Sequence, residues 1–203
     1  MSFTVNGRCD TSATGCATSG ISGSTSSWPD VPYDMNCASG ASCSTQAPSF
    51  WTEYEVTGIQ TQALSGTSLA NVDNWALTYA FPPTGDITKQ SLALASITRT
   101  GQDTAGGGPS VPALPAVAFT TKALANRVAV GDGYPPITRP RLYTITTETG
   151  EQVTVNYSAP ACGSSTPSDD SQNTMLCYPG YWTPTGQAQP IKDYFNKYIV
   201  NSV

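Results

Sequence analysis

Alternation of apolar and polar residues dominates the chain beyond residue 49. Phe50, Thr52, Tyr54 and Val56 alternate with Trp51, Glu53 and Glu55, and Trp75, Leu77, Tyr79 and Phe81 repeat the pattern until Pro82-Pro83-Thr84-Gly85 ends it. A period of two puts successive side chains on opposite faces of a strand. Residues 90–100, around Leu92, Leu94 and Ile97, and the stretch that begins at Val117 and Phe119 predict further strands. After Pro140 comes the clearest hairpin: Tyr143, Ile145 and Thr147 lead into Glu148-Thr149-Gly150-Glu151, and Val153, Val155 and Tyr157 return. β-Branched residues are common in both arms, which suits a pleated surface better than a helix. One stretch carries the other period. Ile191, Tyr194, Phe195, Tyr198 and Ile199 recur at helical spacing after Pro190 and predict a short helical turn over 190–196 that passes into an extended segment. The pattern as a whole predicts a mostly β fold: an antiparallel, sandwich-like module with long loops and at most one short helix near the C-terminus.

Two stretches break the alternation. Residues 1–48 are poor in aliphatics, dense in Ser, Gly, Thr and Cys, and punctuated by Trp28-Pro29-Asp30 and Val31-Pro32-Tyr33-Asp34. They predict a loop-rich opening segment with one or two edge strands at most, distinct from a β-rich module over 49–203. Residues 101–115, containing Gly106-Gly107-Gly108-Pro109, predict a loop. The last residues, Asn201-Ser202-Val203, carry neither a cap nor a polar tail, and the expectation is a piece of something longer.

Composition narrows the function. The 203 residues suffice for one generous domain or two small ones. Only 11% are charged, and polarity comes instead from 28 Thr and 22 Ser. Four Trp, ten Tyr and five Phe are too many for a disordered chain of low charge. The absence of His removes Ser-His-Asp and Cys-His nucleophiles together with His-ligated zinc, haem and non-haem iron. A net charge of −5 with nine Lys plus Arg argues against nucleic acid. No apolar run approaches the ~20 residues of a membrane helix, so no membrane insertion is expected. The beginning of the chain lacks the apolar core of a signal peptide, so an exported form would carry its signal upstream or have lost it.

Six cysteines, Cys9, Cys16, Cys37, Cys43, Cys162 and Cys177, in a hydroxyl-rich, charge-poor chain point to an oxidising compartment and a secreted or cell-surface location. Six allow fifteen pairings. Proximity favours Cys9–Cys16, Cys37–Cys43 and Cys162–Cys177, and a metal site is disfavoured because no C-x₂-C and no His occur.

Candidate chemistry is sparse. Asp103-Thr104-Ala105-Gly106 superficially resembles an aspartic-protease loop, but an Ala intervenes and no second copy faces it. Asp169 and Asp170 fall short of the six to eight oxygens that calcium takes, so a solvated loop is expected there, and Asp132 reads as a turn residue. The triple Gly lacks the Lys-Ser/Thr of a phosphate loop, and no G-x-S-x-G surrounds any Ser. The expectation is no catalytic residue, no cofactor and no metal. What remains is aromatic: Tyr178, Tyr181 and Trp182 form a candidate stacking platform for surface or cell-wall polysaccharide, whereas Trp51, Trp75 and Tyr79 read as core-facing.

Seven short stretches, in order, resemble a known family: 48–54 (PSFWTEY), 72–79 (VDNWALTY), 94–101 (LASITRTG), 124–128 (LANRV), 135–139 (PPITR), 173–177 (NTMLC) and 181–184 (YWTP). They are similar to the region just before the repeats in large secreted Rhs/YD-repeat proteins of actinobacteria. That resemblance implies a non-enzymatic β module, near the start of a hollow shell of sheet that encloses a carboxy-terminal toxin. Its partner would be the rest of that shell, met through sheet edges. The hairpin ending at Tyr157 resembles a degenerate YD unit, with Gly150 at the turn and Ser158 where the Asp would stand. Neither a self-cleavage motif nor a toxin domain is present in these residues.

Overall fold

A computed structural model describes residues 1–10, 25–33, 37–43, 51–103, 113–128, 131–163 and 165–203. Eleven strands run through them: β1 Ser2–Gly7, β2 Tyr54–Ser65, β3 Ser68–Ala80, β4 Ala93–Gly101, β5 Val117–Ala125, β6 Thr138–Thr146, β7 Gln152–Thr154, β8 Asn156–Tyr157, β9 Cys177–Trp182, β10 Ile191–Asn196 and β11 Val200–Ser202. The first seven form one antiparallel sheet in chain order, while β9–β10 and β8–β11 are separate two-stranded ribbons. Helical structure among the described residues is confined to short 3₁₀ turns, including Thr25–Ser27 and Asp170–Gln172. The fold is mostly β.

The chain divides into two compact units. The first comprises Met1–Phe81, Ser91–Phe119 and Thr146–Glu151, and the second Pro82–Gln90, Thr120–Ile145 and Gln152–Val203. The boundary expected after residue 48 falls in 44–50, outside the described residues.

In the first unit, β2 and β3 make a long hairpin closed by Gly66 at φ +62°, a conformation glycine adopts without steric cost. Register fixes the two faces. Phe3 lies opposite Ile59 and Ile59 opposite Trp75, while Leu77 lies opposite Ile97 and Ile97 opposite Val117. One face is therefore largely apolar, with the Arg99–Asp73 ion pair at one end and the Arg99 guanidinium 5.8 Å from the Trp75 ring centroid. The other carries Gln60, Asn74, Thr78, Ser96 and Thr98, and Thr78 and Ser96 share a hydroxyl hydrogen bond of 2.6 Å. Trp28, Cys9 and Val31 form the small core of this unit, with Tyr33 and Trp51 against it. The opening residues thus supply both an edge strand and that core.

The second unit has its core at Val128, Cys162 and Cys177, flanked by Met175 and Tyr194. The predicted return of the hairpin is present as β6 and β7, with Gly150 at φ +86° in the turn and the Gly150 N–H donating to Thr147 O. The expected helical turn over 190–196 is not formed. That segment is β10, paired residue for residue with β9 from Ile191–Trp182 to Asn196–Cys177. A lone helical turn would leave its end groups unpaired, whereas the ribbon satisfies the same backbone and aims Asp193 and Phe195 inward. Phe195 covers Gly180 so closely that a Cβ there would lie 2.8 Å from the ring.

Cys37–Cys43 and Cys162–Cys177 are disulfides, each with 6.0 Å between Cα atoms. Cys9 is buried, and Cys16, its expected partner, lies outside the described residues. No helix among the described residues is long and apolar enough to cross a membrane. The Cys162–Cys177 bridge closes a 15-residue separation beside the second core. Replacing both cysteines by Ala is expected to cost about 3 kcal/mol in urea unfolding of the second unit, through the added freedom of the unfolded chain.

Candidate functional site

The second unit contains a fully buried arginine. Arg127 precedes Val128, whose N–H donates to Tyr194 O, so main-chain pairing carries the guanidinium inward between elements. Its Nε donates to Asp193 of β10 and its Nη2 to Asp132, while Nη1 donates to Tyr134 O at 3.3 Å. The plane also lies against two rings, 5.5 Å from the centroid of Tyr134 and 5.6 Å from that of Trp182. Those rings meet edge to face at 5.7 Å. The Trp182 N–H donates to Asp193 Oδ2 at 3.2 Å. Burial by itself would lower the Arg127 pKa; the bonds to Asp132 and Asp193 outweigh it and raise it. The same bond from Arg127 holds the Asp132 carboxyl below its ordinary range.

A cleft of about 480 Å³ opens on the other side of these aromatics, with walls that include Ile87, Thr88, Tyr134, Ile137 and Trp182. Ile137 has φ +49°, the one non-glycine residue with positive φ among the described residues. That conformation is costly for a β-branched side chain. It is held from both sides: Asn126 N–H donates to Ile137 O at 3.2 Å, and the next amide, Thr138 N–H, donates to Asp86 Oδ2 at 2.9 Å. Asp86 also accepts from Thr88 N–H at 2.8 Å. Desolvation would raise the Asp86 pKa, but the hydrogen bonds from Thr88 and Thr138 outweigh it and hold the carboxyl well below the usual range.

The three aromatics singled out in the sequence do not share one face. Tyr178 and Trp182 are four residues apart on β9 and lie on the side of Phe195 and Arg127, and Tyr178 stacks on Phe195 at 5.7 Å. Tyr181 points to the opposite side, 73% exposed. Trp182 instead meets Tyr134 edge to face and lines the cleft with Ile137, and no local pattern announces the part of either residue there.

Other candidates are placed as follows. Asp132 sits in its turn but serves Arg127. Asp169 accepts from Ser171 N–H, and Asp170 pairs with Lys192 at 2.7 Å and with the Tyr194 hydroxyl at 2.7 Å. No cluster of three metal-ligating side chains occurs among the described residues. Residues 104–112, including most of the protease-like loop and the triple Gly, lie outside the described residues. In the first unit Glu55 neighbours Arg8 and Asp30, and burial pushes its carboxyl above the ordinary range. The adjoining cavity of about 70 Å³ is far below the roughly 300 Å³ of a small-molecule site.

No protein-family model, no curated protein and no solved structure matches the chain.

Two outcomes test this geometry. Arg127→Met strands Asp193, only 8% exposed, without its counter-ion and is expected to cost about 3–5 kcal/mol. Adding Asp193→Leu should recover a large part of that loss in the same urea titration. Asp86 has a depressed pKa, so its contribution is complete above the usual carboxylate range and is lost as pH falls through the folded-state value. Asp86→Asn is therefore expected to lower stability at pH 7 by about 1.5 kcal/mol and to approach wild type in strong acid.

Proposed function

We propose that the chain is a non-enzymatic structural segment of a secreted Rhs/YD-repeat toxin-like protein, lending its strands to a larger β shell. The observation that carries this reading is an incompletely covered sheet, whose Ile59, Trp75, Leu77 and Ile97 are only half-buried. Among the described residues, none of the buried apolar side chains belongs to β2, β3, β4 or β5; they are Cys9, Trp28, Val31, Val128, Val155, Cys162, Cys177 and Phe195. A sheet with an apolar face is stable when another layer covers that face. Here Ile59, Trp75, Leu77 and Ile97 line an open apolar hollow with Met1 instead.

The outer strand supports the same reading. β1 ends the seven-stranded sheet and contains no charged residue and no Pro, the devices by which isolated proteins protect an edge. Phe3 and Val5 are 60% and 50% exposed. An edge of this kind is a template for a further strand. Shell partners joined through sheet edges supply that strand and the missing cover together. The two disulfides fit an oxidising compartment, in keeping with secretion. Tyr157, the residue that resembles the tyrosine of a degenerate YD unit, clamps its hairpin by donating to Leu142 O at 2.8 Å.

The isolated chain is expected to self-associate with rising concentration in sedimentation velocity. Val5→Lys, at an exposed edge position, should shift it toward monomer without loss of thermal stability. A wild-type monomer at every concentration, with β1 amides fully protected from exchange, would overturn the proposal.

A further inference from the structure

We propose that the cleft beside Trp182 binds a neutral oligosaccharide, independently of any role of the open sheet. Its size, about 480 Å³, lies within the range of small-ligand sites. Its chemistry is the selective part. Among the described residues no ionised side chain lines it: Ile87, Tyr134, Pro135, Ile137, Trp182 and Pro184 supply apolar and aromatic surface, and Thr183 and Thr185 supply hydroxyls, the Thr88 Oγ1 being buried. The cation against its aromatic wall, Arg127, is fully buried behind the rings and committed to two carboxylates, so it offers no free charge to an anionic ligand.

A ligand matched to these walls has an apolar face, a hydroxyl-bearing edge and no net charge. A pyranose ring meets all three conditions: its C–H face packs on aromatic surface and its hydroxyls both donate to and accept from threonines. The other ligand chemistry that takes to Trp, Tyr and Pro walls is a proline-rich peptide. Such a peptide lacks backbone N–H groups at its prolines, presents carbonyl acceptors there, and relies on donors from its site. Here the Trp182 N–H is spent inward on Asp193, which leaves such a peptide the same threonine hydroxyls that a sugar uses, and the octaproline arm of the test separates the two. The site is also built rather than incidental. Trp182 and Tyr134 are fixed from behind by Arg127, Gln187 donates to the Tyr134 hydroxyl at 2.7 Å, and the wall at Ile137 is kept in a costly conformation by Asn126 and Asp86. Backbone strain held in place by its surroundings is a common property of binding sites.

The test titrates the full chain with three neutral probes, the trimers of β-1,4-linked N-acetylglucosamine, β-1,4-linked glucose and α-1,4-linked glucose, and with an octaproline peptide. Tryptophan fluorescence and calorimetry are the readouts. At least one sugar is expected to bind saturably, with Kd at or below about 1 mM. Trp182→Ala is a poor first variant because Trp182 packs on the buried ion pair. Ile87, 80% exposed, is the better one: Ile87→Asp puts a carboxylate on the rim without opening a core. It should weaken sugar binding at least tenfold while the unfolding midpoint stays at the wild-type value. Three results each overturn the proposal: no saturable binding of any sugar at about 10 mM, roughly tenfold above that Kd; binding of octaproline in place of the sugars; or sugar binding that Ile87→Asp leaves unchanged.

Discussion

Covering a sheet requires large apolar side chains, and this chain has few to spend after its polar strands are built. Hydrophobic residues make up 38% of it, and Ser and Thr occupy many of the positions that would otherwise pack. The consequence runs through both units. Instead of one continuous layer, the described residues form two small clusters, around Trp28 and around the Cys162–Cys177 bridge. Main-chain ladders, hydroxyl pairs such as Thr120 with Thr144 at 2.5 Å, and disulfides take up the work that a larger core would do. The apolar face of β2 to β4 is what that scarcity leaves only half-buried.

In the second unit the same scarcity is met by a polar core. Desolvating a guanidinium is expensive unless each of its nitrogens finds an acceptor. Arg127 meets that demand with Asp193, Asp132 and the Tyr134 carbonyl, and the two aromatic rings cover its plane. Each partner is then fixed in turn. Asp193 orients Trp182 through the indole N–H, and the 131–134 turn is held against β10 by Asp132. The cleft is a product of this arrangement, because its aromatic wall is the outer surface of the cage around the charge. Asp86 plays the parallel part for the remaining wall, tying its own loop to the first amide of β6.

Where alternation was strong, local sequence was a good guide. Trp75-Ala76-Leu77-Thr78-Tyr79 and the arms around Gly150 are strands, since side chains that must divide between two faces leave a period of two whatever lies on either side. The β2–β3 hairpin extends well beyond what could be read. Residues 60–71 are largely small and polar, with no apolar repeat to betray a strand, and they are held by ladder hydrogen bonds and by contacts such as Gln62 to Asn71. At 190–196 the apolar spacing fitted a helix, yet the backbone is extended. Short segments carry both periods at once, and pairing with β9 decided between them.

The amino-acid sequence alone therefore determined the β class, the absence of histidine chemistry, the hydroxyl-rich composition and two of the three disulfides that local spacing favours, the third involving Cys16 outside the described residues, because each depends on composition or on residues close in the chain. Tertiary structure decided which aromatics meet. Tyr181 and Trp182 are neighbours in sequence and face opposite ways, whereas Tyr134 and Trp182, 48 positions apart, share one arginine. It also decided that Asp132 and Asp193 would converge on Arg127. The physical reason is that burying a charge is a problem of three-dimensional coordination, and its solution draws partners from wherever the chain folds back, leaving no periodic trace along the sequence.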